Sequence, residues 1–91
     1  FDVDAIVAKF PDAVPVQAPV KGQLMWQVDV DDASTAPVVG AEVKAGEPMS
    51  FVQTYYGFEE VVPAVSGRLV AVCAKQGDFV AKGEIIAFVL S

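Results

Sequence analysis

The chain contains its own template twice. The stretch "VGAEVKAGEPMSFV" (39–52) aligns with "QGDFVAKGEIIAFV" (76–89), and "APVKGQLMWQVDV" (18–30) aligns with "PAVSGRLVAVCAK" (63–75). Gly22 and Gly67 lie 45 residues apart, whereas Gly40 and Gly77, like Gly46 and Gly83, lie 37 apart. The first copy therefore carries eight extra residues, which fall within "DVDDASTAPVV" (29–39). A repeat this short has too little sheet to bury its apolar face alone, so the two copies must interlock around one core. The segment "VQTYYGFEEV" (52–61) joins the copies and reads as a hairpin.

Each copy is built from apolar runs of four to eight residues punctuated by glycine, as in "GRLVAVCAKQG" and "EIIAFVL". That pattern predicts short strands in a small sandwich or barrel. Only the first residues differ. Val3, Ile6, Val7 and Phe10 recur at helical spacing, with an aspartate at the start and Pro11 just beyond the end. They predict a short amphipathic helix that either packs on the domain or ends a linker from a preceding one. "PDAVPVQAP" (11–19), with three prolines, reads as an extended connector. The expected organisation is a helix or linker over 1–15 and one β domain over 16–91. Ninety-one residues, 54% of them hydrophobic, suffice for one such core but not comfortably for two.

Composition removes several function classes. The chain has no histidine and one cysteine, so it cannot build a Ser-His-Asp or Cys-His site or fill a typical zinc site. No metal is expected. Cys73 cannot pair internally and reads as a plain buried thiol. A net charge of −6 and a pI near 4.2 disfavour a phosphate backbone as partner, and nucleic acid is not expected. No apolar stretch approaches the roughly 20 residues of a membrane span, and no signal-peptide pattern is present. These observations place the expected site of action in the cytoplasm, away from membranes. A chain opening on Phe1 reads as a piece of a longer protein or a processed product.

The motifs "APVKG" (18–22), "VKAGEPM" (43–49), "VPAVSGRLVAV" (62–72) and "KQGDFVAKGEII" (75–86), in this order, resemble the biotinyl/lipoyl carrier family. The resemblance covers residues from about 16 to 91. It implies an all-β, flattened barrel-sandwich hybrid of two quasi-twofold halves. The insertion at 29–38 is similar to the protruding thumb of the biotin carrier of bacterial acetyl-CoA carboxylase. In biotinyl domains the hairpin apex usually reads Glu-Ala-Met-Lys-Met. Here Gln53, Thr54, Tyr55, Tyr56 and Gly57 take those places, and the lysine slot falls on Tyr56. The Asp-Lys-Ala turn of lipoyl domains is missing as well. No lysine lies between Lys44 and Lys75, so a shifted alignment restores nothing. Biotin and lipoate are joined through an amide to a lysine amine, and a phenol cannot form that bond. The expectation is a degenerate domain with no cofactor.

The apex residues Tyr55, Tyr56 and Phe58 admit two readings. Two of the three fold back on the body or pair across the hairpin, with Gly57 supplying a positive-φ turn residue. Alternatively they form an exposed aromatic knob, since tyrosine gives large contact area at modest entropic cost. Glu59 and Glu60 follow in a strand, one facing out and the other inward or along an edge. Asp29, Asp31 and Asp32 lack the glycine and glutamate of a calcium loop and read as a solvated thumb, with Asp31 and Asp32 candidate partner contacts. Trp26 reads as a core or partly covered residue next to that loop rather than a cofactor platform.

Two function classes follow. In the first, the chain is a non-catalytic structural or docking module of a biotin-dependent carboxylase or decarboxylase assembly, of pyruvate carboxylase or oxaloacetate decarboxylase type. Its partners are then the subunits of that assembly or neighbouring domains of the same chain. In the second, it is the hybrid domain of a membrane-fusion-type transport adaptor. Such domains are usually split by a helical hairpin, whereas here a tight turn joins the halves.

Overall fold

The computed structural model describes residues 3–26 and 39–91. Helix α1 spans Val3–Lys9, and eight strands follow: β1 Val14–Gln17, β2 Gly22–Met25, β3 Glu42–Val43, β4 Ser50–Thr54, β5 Gly57–Val61, β6 Gly67–Val72, β7 Phe79–Val80 and β8 Ile85–Leu90. They form two four-stranded antiparallel sheets, ordered β1-β8-β6-β3 and β5-β4-β2-β7. The first half supplies β2 and β4 to one sheet and β1 and β3 to the other, so neither half forms a sheet by itself.

The repeat in the sequence is a symmetry of the fold. Exchanging β1 with β5, β8 with β4, β6 with β2 and β3 with β7 turns one sheet order into the other. The connecting hydrogen bonds obey the same exchange. Gly77 N–H donates to Leu24 O at 2.8 Å, and Gly40 N–H donates to Leu69 O at 2.7 Å. Leu24 N–H donates to Asp78 O at 2.8 Å, and Leu69 N–H donates to Ala41 O at 2.9 Å. Gly40 and Gly77 have φ of 98° and 86°, a region that costs glycine nothing. Gly22 and Gly67 serve another purpose. A Cβ on Gly22 would strike the Gln53 carbonyl, and a Cβ on Gly67 would strike the quasi-equivalent Leu90 carbonyl. Each glycine lets two crossing backbones touch.

Period-two alternation turns one side of each strand into the space between the sheets. Val16, Leu69, Ile86, Ala87 and Val89 of one sheet and Leu24, Val52, Val61 and Val80 of the other form a single buried cluster. The all-β flattened sandwich with a short N-terminal helix is thus the observed architecture. Of the two expected placements, core or partly covered, Trp26 takes the core. It is 2% exposed, and its indole N–H donates to Ala74 O at 2.8 Å. Ser50 is also buried, at 1% exposure, and its hydroxyl has no hydrogen-bond partner.

The N-terminal segment is organised more than a connector would be. Residues 14–17 are a strand, paired along β8 from Val14 opposite Val89 to Gln17 opposite Ile85. Ala13 N–H donates to Phe10 O at 3.0 Å, which ties the end of α1 to the start of β1. No residue of α1 is fully buried; Val3 and Ile6 are half-buried and Val7 is exposed.

Candidate functional site

The apex is a two-residue connection. Thr54 pairs with Gly57, leaving Tyr55 and Tyr56 as the turn. No non-glycine residue has positive φ, so Tyr55 and Tyr56 do not form the turn of two positive-φ residues usual in such hairpins. The twist is absorbed by Gly57 at φ 137°. Thr54 fixes the turn from within: its Oγ1 accepts from Tyr56 N–H at 3.1 Å and donates to Gly57 O at 3.1 Å. This explains why a threonine precedes the two tyrosines and a glycine follows them.

The tyrosines do not fold back on the body. Each is 95% exposed, and their rings meet edge to face at 5.2 Å. Phe58 is 60% exposed and does pair across the hairpin, with its ring edge-on to Phe51 at 6.5 Å. The fold-back reading therefore fails for the two tyrosines and holds in part for Phe58. Both Glu59 and Glu60 are exposed on β5, an edge strand; Glu60 pairs with Phe51 and Glu59 with Val52. Asp31 and Asp32, with the rest of the inserted loop, lie outside the described residues.

The tyrosines wall an open groove. Lys21, Gly22, Gln53, Thr54 and Phe79 line it with them, and Phe79 is 82% exposed. The quasi-twofold places a second groove at the other sheet, and its lining is the counterpart residue by residue: Ser66 for Lys21, Gly67 for Gly22, Leu90 for Gln53 and Glu42 for Phe79. That second groove also holds Lys44, Glu47 and Arg68. The fold thus supplies the same concavity twice; both hold a glutamate and a basic residue, Glu84 with Lys21 in the first and Glu47 with Lys44 and Arg68 in the second, and only the first is walled by aromatic rings. Nothing in the run "GDFVAKG" distinguishes Phe79 from an inward-facing strand residue. Its exposure follows only from the register, in which Phe79 pairs with Gln23 on the outer face.

The apex offers phenols, a threonine and a glycine, and no amine. A carrier cofactor joined to a lysine does not fit these residues. The described lysines are Lys9 at the end of α1, Lys21 before β2, Lys44 after β3, and Lys75 and Lys82 beside the turns flanking β7. None is in the β4–β5 turn. Position 57 departs further from the biotinyl apex, because the methionine expected there would have to adopt φ 137°. Cys73 is half-buried rather than buried, and desolvation pushes its thiol up to about 11. It is a poor nucleophile near neutral pH. Among the described residues, no group of three or more acidic or cysteine side chains could hold a metal, and no helix is long and apolar enough to cross a membrane.

Two carboxylases contain segments with this fold. One is the urea carboxylase of Kluyveromyces lactis, with a TM-score of 0.66 and 23% identity over 87% of this chain. The other is a single-chain, multi-domain long-chain acyl-CoA carboxylase, with a TM-score of 0.70 and 17% identity over 90% of this chain. The chain spans only 6% and 8% of those proteins. At this identity the likeness is one of fold. No protein-family model matches the chain, and no curated protein does.

Proposed function

We propose that the chain is a biotinyl-like domain without its acceptor lysine, acting as a non-catalytic docking module of a carboxylase or decarboxylase assembly in the cytoplasm. The observation that carries this reading is the apex, which holds two tyrosines, each 95% exposed, where a carrier would hold its lysine. Exposed tyrosines on a two-residue turn offer a partner large contact area at modest entropic cost. The fold shared with segments of two large carboxylases supports the choice of assembly by analogy. Tyr55, Tyr56 and Phe58 are the proposed contacts, and Asp31 and Asp32 of the inserted segment are further proposed contacts. The halves are joined by only two turn residues, which leaves no inserted helical hairpin and nothing to favour a transport adaptor.

The test is the intact mass of the native full-length protein, with peptide mapping over residues 45–91, followed by co-purification with carboxylase subunits. The expected result is an unmodified domain whose retention by a subunit is weakened at least about tenfold by Tyr56→Ala, the scale of one lost interface anchor. A covalent adduct in the domain, or unchanged retention in a folded Tyr56→Ala variant, overturns the reading.

A further inference from the structure

A sheet edge is an unfinished hydrogen-bond ladder, open to a further strand unless something blocks it. Among the described strands four lie at edges: β1 and β3 in one sheet, β5 and β7 in the other. Three of them offer little. β3 and β7 have two residues each. β1 has four, but its second is Pro15, which has no N–H to give. β5 has five residues and no proline.

The quasi-twofold matches β5 to β1 residue by residue. Pro15 pairs with Phe88, and Glu60 pairs with Phe51, the counterpart of Phe88 in the repeat. Val16 and Val61 follow them, and both are buried. Two residues further on, Ala18 O accepts from Gly83 N–H at 2.8 Å and Pro63 O from Gly46 N–H at 3.4 Å. Glu60 therefore stands where β1 has its proline. Alternation along the strand gives the direction of its backbone. Val61 O accepts from Met49 N–H at 2.8 Å, and Gly57 closes the hairpin opposite Thr54, so Gly57, Glu59 and Val61 turn their main-chain groups towards β4. Phe58 and Glu60 turn theirs off the outer edge. The N–H that proline removes from one edge is thus present, and outward, on the other.

We infer that the outer edge of β5 receives an extended segment of a partner protein, which adds a strand to the β5-β4-β2-β7 sheet and carries two consecutive Lys or Arg residues opposite Glu59 and Glu60. The main-chain N–H and C=O groups of Phe58 and Glu60 supply the ladder bonds, as in other strand additions. Charge selects the occupant. Glu59 and Glu60 are adjacent and both exposed, and β5 has no other charged residue. Opposite charges directly across a strand pair attract and like charges repel. A second copy of the chain is the wrong occupant. Two antiparallel β5 strands paired over their whole length set Glu59 against Glu59, between chains that each carry a net charge of −6. The two carboxylates thus repel a copy and attract a basic strand. β5 is about 17 Å long, room for about five partner residues. The inference uses neither tyrosine, takes only the main chain of Phe58, and does not rest on the carboxylase assignment.

The experiment uses the full chain and two synthetic peptides of one threonine- and valine-rich sequence, one with Lys-Arg at its centre and the other with Glu-Glu. Binding is followed by calorimetry and by amide hydrogen exchange. The basic peptide is expected to bind roughly tenfold tighter than the acidic one, since two exposed ion pairs become two repulsions. It should also slow exchange at the Phe58 and Glu60 amides, which attraction between charges alone would not do. Glu60→Pro copies the arrangement of β1 and should weaken the basic peptide at least about tenfold by removing a donor and blocking the edge. The doubly substituted chain Glu59→Lys, Glu60→Lys should prefer the acidic peptide; both residues are exposed, so its fold is retained. If Glu60→Pro does not fold, the charge reversal and the protection of the two amides decide. Equal affinity for both peptides, no binding of the basic one, undiminished binding by a folded Glu60→Pro chain, or binding that leaves the Phe58 and Glu60 amides unprotected would each overturn the inference.

Discussion

Ser50 should be replaceable by alanine with a gain in stability. Its hydroxyl is 1% exposed, has no hydrogen-bond partner, and sits inside β4 opposite Val61. A buried hydroxyl without a partner loses about 1–3 kcal/mol of hydration. The repeat supplies the control, because Ser50 corresponds to Ala87, which is 0% exposed at the same place in the other sheet. A methyl is thus known to fit that environment. Removing one oxygen leaves a gap too small to offset the relieved desolvation, so Ser50→Ala should stabilise by about 1 kcal/mol. In a chain of this size that is about 4–8 °C in Tm, and roughly 0.5 M in the urea midpoint with an unchanged slope. The reciprocal Ala87→Ser should lose about 1–3 kcal/mol. Thermal and urea unfolding of both variants decide the matter. A Ser50→Ala variant less stable than the parent would refute the reasoning, since it would mean that the hydroxyl is satisfied in the native state.

Gly22→Ala and Gly67→Ala should each destabilise by about 3 kcal/mol, the upper end of overpacking, because each Cβ meets a backbone carbonyl that cannot rotate away; urea unfolding reads both, and a loss below about 1 kcal/mol in either would deny the close crossing. Gly57→Met should cost about 1–3 kcal/mol through positive φ, whereas Tyr56→Lys should stay within about 0.5 kcal/mol. An acceptor lysine is therefore better tested with Gly57 kept, with mass after treatment with a biotin ligase as the readout. Cys73 should alkylate far more slowly in the native chain than in urea at pH 8. Its thiol is raised from 9.0 to about 11 by burial, so its contribution to stability is full below pH 9 and falls as the pH rises from there toward 11. Stability that is flat across that window would contradict the raised value.

Much of the architecture was legible because a repeated sequence has to solve one burial problem twice. The glycine spacing located the turns and the alternation located the strands, while the insertion expected at 29–38 lies outside the described residues. The lysine-free apex was equally plain, since no lysine lies between Lys44 and Lys75. What local pattern could not settle was which side of a short apolar run faces water. "SFVQT" and "GDFVAKG" are short apolar runs that fit a strand with either side outward; pairing turns Phe79 outward at 82% exposure and leaves Phe51 half-covered. The same limit applied to Tyr55 and Tyr56, where fold-back and exposure have identical sequence signatures.

The sequence alone therefore determined the number of halves, the strands and turns within each, and the lack of a lysine in the hairpin segment, because these depend on residue type and on spacing along the chain. Only the tertiary structure decided how the halves interlock, and that only one of two equivalent grooves is walled by aromatic rings. Those features depend on register between strands remote in sequence, and a shift of one residue exchanges the two faces of a strand without altering its local pattern.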